Sequence, residues 1–63
     1  MNETTPDKVL VNSTLYRKAA GEYLPIGKVE NIFVIDGYYM FKLEKCSDSA
    51  FQRRRSSDIV FWK

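Results

Sequence analysis

Three consecutive arginines, Arg53, Arg54 and Arg55, form the densest charged feature of this 63-residue chain. A guanidinium presents five N–H donors in a rigid fork that suits carboxylates and phosphates alike. The chain also carries nine aromatic side chains, with Tyr38-Tyr39 and Phe61-Trp62 as consecutive pairs. On a regular strand neighbouring residues point to opposite faces, so one member of each pair is expected outside the core. Exposed Tyr and Trp beside Arg is the composition of protein interface anchors. The same residues could stack single-stranded bases. Tyr38, Tyr39, Arg53, Arg54, Arg55 and Trp62 are therefore the candidate partner-contacting set, as apolar anchors or carboxylate partners.

Other chemistry finds little material. The chain has no histidine, which removes the commonest general base at neutral pH and every Ser-His or Cys-His arrangement. Cys46 stands alone, so no internal disulfide and no zinc site of the usual Cys/His type can form. Lys45 beside it could lower its pKa a little, but a spectator thiol is the simpler reading. Glu22, Glu30, Asp36, Glu44, Asp48 and Asp58 show no paired spacing, and Gly21, Gly27 and Gly37 are too scattered for a phosphate loop. No catalytic residue, metal or cofactor is expected. A histidine-free ribonuclease built on Arg, Glu and Tyr is conceivable but has no motif to support it.

Ten basic side chains against eight acidic ones leave a net charge of +2, less cationic excess than a phosphate-tracking groove normally shows. Binding to a protein is therefore the first reading, and a small-barrel single-stranded nucleic-acid binder is the alternative. A chain this short buries only about 60% of the surface its unfolded form exposes, so self-association as a homodimer is a third way to cover the aromatics. No apolar run approaches the ~18 residues of a membrane span. The lone cysteine and the polar residues 1–7, read without a leader, point to a reducing, cytoplasmic setting.

The elements that must position these residues read as β-structure. Residues 1–7 are expected to be a flexible tail ahead of one β-rich domain over 8–63. From Lys8 to Arg17, Val9, Val11 and Leu15 alternate with polar residues, which predicts a first strand. Ala19-Ala20-Gly21-Glu22 makes a turn. A second strand follows from about Glu22 to Glu30, with Pro25 placing it at an edge or at a bulge with Gly27. Asn31 breaks it before Ile32–Ile35. Asp36-Gly37 then reads as a type I′ hairpin turn, because both central residues need positive φ there. Beyond it Tyr39, Phe41 and Leu43 share one face, and Tyr38, Met40 and Lys42 the other. Residues 45–50 form a polar loop, 51–55 a strand or a short helical turn, and Ile59–Trp62 a returning strand. The whole is expected to be mainly β: an antiparallel meander of four to five strands, curled or closed into a small barrel, with at most one helical turn near 49–55.

One stretch has a family likeness. Leu15-Tyr16-Arg17-Lys18, then Gly21-Glu22-Tyr23-Leu24-Pro25-Ile26-Gly27, then Asp36-Gly37-Tyr38, resembles a pattern in short accessory proteins of tailed bacteriophages. The resemblance covers about residues 15–43. It departs from that pattern at Tyr38-Tyr39, where a tryptophan soon after Asp-Gly would be expected, and it does not extend past Leu43. What it implies is a non-enzymatic inhibitor or modulator that occupies the surface of a host protein in the host cytoplasm.

Overall fold

The computed structural model describes residues 1–44 and 51–63. The protein is mainly β: six antiparallel strands and one 3-10 turn. The strands are β1 (Asn2–Thr4), β2 (Thr14–Ala19), β3 (Glu22–Ile35), β4 (Tyr38–Leu43), β5 (Phe51–Arg55) and β6 (Val60–Trp62), and the 3-10 turn spans Pro6–Lys8. They make one sheet in the order β1-β6-β2-β3-β4-β5. The sheet is therefore a meander from β2 to β5, with β6 crossing back to lie between β1 and β2. It is not closed into a barrel, and it has six strands where four to five were expected.

Two hairpins with the same turn chemistry set the meander. Ala20 and Gly21 have φ of 51° and 80°, and Asp36 and Gly37 have φ of 51° and 80°. Paired positive φ values are what a type I′ turn requires, and its twist matches that of the strands it joins. The Asp36-Gly37 turn fixes Ile35 opposite Tyr38 and Phe33 opposite Met40. The Ala20-Gly21 turn fixes Ala19 opposite Glu22.

β3 is longer than expected because Asn31 does not end it. The strand runs 14 residues but changes partner midway, its first half pairing with β2 and its second with β4. A register shift between Val29 and Asn31 marks the change. A second shift lies between Leu15 and Tyr16, opposite Pro25 and Gly27. Pro25 thus sits at a bulge, where its missing N–H leaves no ladder bond unmade. Gly27 lets β4 approach: a Cβ there would lie 3.2 Å from Leu43 Cδ1.

The first strand begins later than its alternation suggests. Ser13 donates its N–H to Leu10 O at 3.2 Å, and Asn12 has φ of 76°. A positive φ at the third residue of a turn is the type II requirement, which Asn tolerates. Leu10–Ser13 is therefore a turn, which leaves Val11 exposed while Val9 and Leu15 are buried. Residues 1–7, expected as a flexible tail, instead supply β1 against β6 and a 3-10 turn whose Pro6 is fully buried. Pro at the first position of that turn carries no N–H to satisfy. Residues 51–55 are a strand and not a helical turn. The loop expected at 45–50, with Cys46 and Asp48, lies outside the described residues.

The core is one cluster on the inner face: Val9, Leu15, Val29, Phe41, Leu43 and Val60, with Ile26, Ile32, Tyr39 and Trp62 packed against it. No buried side-chain polar atom among the described residues lacks a hydrogen bond. Phe41, fully buried on the central strand of the β3–β5 half, is the keystone. Phe41→Ala should cost about 3–5 kcal/mol from lost burial and cavity formation. Gly37→Ala, whose new Cβ meets nothing within 4 Å, should cost only the left-handed backbone penalty of about 1–2 kcal/mol. Urea unfolding followed by Trp62 fluorescence checks this order, and a Gly37 variant as damaging as Phe41→Ala would contradict it.

Candidate binding face

The outer side of β3, β4 and β5 is assembled by two registers. Ile35 lies opposite Tyr38 and Phe33 opposite Met40. Across the next ladder Tyr38 lies opposite Arg55, Met40 opposite Arg53, and Lys42 opposite Phe51. Because side chains alternate, these residues share the face that the core does not use. Phe41 and Leu43, one position out of phase, are buried, and Tyr39 packs on the core beside them.

On this outer face Phe33 and Phe51 reach toward each other over β4, with ring centroids 5.9 Å apart and planes tilted by 41°. At the other end Arg53 places its guanidinium 4.8 Å from the centre of the Tyr38 ring. Between Tyr38, Met40, Ile35, Asp36 and Arg53 lies an open hollow of about 230 Å³. Ile35 is 53% exposed and Phe51 40%, while Phe33, Tyr38 and Met40 are half-buried. The face is thus an apolar strip with Lys42, Arg53 and Arg55 along it. Asp36 is the acidic residue at its turn.

The six candidate residues are divided by the sheet. Tyr38, Arg53 and Arg55 meet on the outer face. Tyr39 and Arg54 are opposite one another and turn to the inner side. Arg54 there donates to Arg53 O at 3.0 Å and to Gln52 Oε1 at 3.2 Å. Trp62 is half-buried on β6, packed on the core, and its Nε1–H donates to Thr4 Oγ1 at 2.9 Å. Of the Phe61-Trp62 pair it is Phe61 that lies outside, edge-on to Tyr23 at 5.4 Å.

Comparison with known proteins returns no matching family model, no matching curated protein and no matching solved structure. The face must be read from its own chemistry.

Phe33, Ile35, Met40 and Phe51 were missed as candidates. The first three were open to discovery, since the Asp36-Gly37 turn dictates that Ile35 and Phe33 share a side with Tyr38 and Met40. Phe51 was not, because its register depends on the connection after Glu44, which carries no two-residue turn signal.

Part of the free side of β5, at Arg53 and Arg55, is covered by Asp58 and Arg54. Asp58 accepts the Arg55 N–H on Oδ2 at 2.8 Å and donates its own N–H to Arg55 O at 3.0 Å, and Arg54 covers Arg53 O. Such capping blunts strand addition at a sheet edge. No group of three or more His, Cys, Asp or Glu among the described residues could hold a metal. Among those residues no helix is long and apolar enough to cross a membrane.

The Arg53–Tyr38 contact is open to direct measurement. A double-mutant cycle with Arg53→Gln and Tyr38→Leu should give a coupling of about 0.5–1 kcal/mol in unfolding free energy, the range for an exposed cation–π pair. The equivalent cycle between Arg54 and Tyr38, on opposite faces, should give none. Equal couplings would mean the two arginines are not sorted by face.

Proposed function

We propose that this chain is a non-enzymatic binding module whose outer β3–β4–β5 face docks on a partner protein and occludes it. One observation carries the reading. Ile35, Tyr38, Met40, Phe33 and Phe51 form a continuous apolar strip on the face that the core does not use, with Ile35 and Phe51 exposed, and Arg53 lies against it. Single exposed apolar residues are ordinary, whereas a contiguous strip rimmed by polar groups marks an interaction surface. Arg53 and Tyr38, in contact at one end of it, supply residue types that dominate interface energetics.

The likeness of residues 15–43 to phage accessory proteins supports the same direction: an inhibitor or modulator of a host protein, acting in the host cytoplasm by covering a surface. Single-stranded nucleic acid is the second reading, supported by Lys42, Arg53 and Arg55 on the aromatic face. Ring geometry weighs against it. Base stacking needs open ring faces, but Tyr38 is engaged by Arg53, and Phe33 and Phe51 lean on each other. A homodimer through this face would bring two sets of the same cations together, which is unfavourable.

Photo-cross-linking tests the reading. With p-benzoylphenylalanine placed at Ile35 or Phe51, irradiation in cells should give a discrete protein adduct. The same group at Leu10, 63% exposed but outside the face, should give none. Adducts from Leu10 alone, or adducts to nucleic acid or to a second copy of the chain, would overturn it.

A further inference from the structure

Resting on that reading, we infer that the outer face selects an apolar side chain flanked by a carboxylate, with the hollow of Ile35, Tyr38 and Met40 taking the apolar group and Arg53 taking the acid. The hollow has apolar walls and two charged residues at its rim, Arg53 and Asp36. Arg53 is unlike its neighbours in the arginine run. Arg54 donates to Arg53 O and Gln52, whereas the Arg53 guanidinium has no hydrogen-bond or ion-pair acceptor among the described residues. It is nevertheless placed, with its guanidinium carbon over the Tyr38 ring, 4.8 Å from the ring centre.

A guanidinium held over an aromatic ring keeps its in-plane N–H donors free, which is the geometry for bidentate carboxylate recognition. Arg55, opposite Tyr38, and Lys42, opposite Phe51, extend the same sign of charge along the strip. The ion pair found among the described residues, Lys28–Glu44 at 3.6 Å, neutralises none of these three. An acidic partner therefore meets an exposed cationic rim on which Arg53 has no ion pair among the described residues. A second copy would meet like charges. Asp36, in the β3–β4 turn that also lines the hollow, disfavours a second carboxylate there and so orients the ligand with its acid toward β5.

Fragment binding followed by amide chemical shifts tests the assignment on the intact chain. N-acetyl-leucine carries an isobutyl group and a carboxylate, and N-acetyl-leucinamide lacks only the charge. Titration with N-acetyl-leucine should saturate shifts at Ile35, Tyr38, Met40 and Arg53, and the amide should bind at least threefold more weakly. Arg53→Gln should reduce N-acetyl-leucine to the level of the amide, while Arg54→Gln should leave the difference intact. The folded spectrum of each variant reports that it still folds. Equal response to acid and amide, loss of discrimination in Arg54→Gln but not Arg53→Gln, or no saturable shift on this face overturns the inference. Tighter binding of an oligothymidylate to the same residues overturns it in favour of phosphate. A protein adduct from Ile35 with no acid preference would leave protein docking standing and remove only the carboxylate.

Discussion

Val29 is the residue on which the rest of the structure depends. It is fully buried, and its backbone is held on one side by Asn12 N–H and Ser13 O, both at 2.8 Å. On the other side it stands opposite Leu43 in the β4 ladder. Here β3 leaves one partner strand and takes up another, helped by the register shift that follows and by the absence of a side chain at Gly27. A short chain has no second layer to set against its sheet, and thin cores leave small domains marginal. Folding the sheet about Val29 lets one face bury itself, Leu15 and Val60 from one half meeting Phe41 and Leu43 from the other.

The functional consequence follows from the same constraint. The inner face is committed to the core, and on the outer one Ile35 and Phe51 remain exposed. In most one-sided sheets the outer residues are polar, giving regular alternation. On β2 and the first half of β3 both sides carry exposed charges, Arg17 and Glu22 on the side of Leu15 and Lys18 on the other. On the second half of β3 alternation fails: Phe33 and Ile35 alternate with Ile32 and Val34, so the strand is apolar on both sides.

Much of the hairpin architecture was legible because it is written in local chemistry. Asp36-Gly37 and the alternation of Tyr38 to Leu43 determine which aromatics go inward, and Phe41 and Leu43 are buried as that pattern demands. What could not be read depended on distant partners. Asn12 looks like an alternating polar residue until its positive φ makes a turn of it, and that φ is compatible with either reading of the sequence. Asn2–Thr4 has no strand signal of its own and becomes one only because β6 needs an edge partner. Likewise the arginine run reads as a single patch, but strand alternation divides it, leaving Arg53 and Arg55 outside and Arg54 within. Trp62 against Phe61 was the same choice, and the core took the larger ring.

The central claim is that the outer β3–β4–β5 face is free in the isolated chain and is not part of what holds it folded. The most direct measurement is the unfolding free energy of the double variant Ile35→Thr, Met40→Thr, made at two protein concentrations tenfold apart. Both replacements keep a strand-compatible residue, so the account expects the pair together to change stability by no more than about 1 kcal/mol, from about 0.5 kcal/mol per surface position, with no dependence on concentration. A loss of several kcal/mol, or a wild-type stability that rises with concentration and a variant stability that does not, would show that the face is already buried in a self-associated form and would contradict the account.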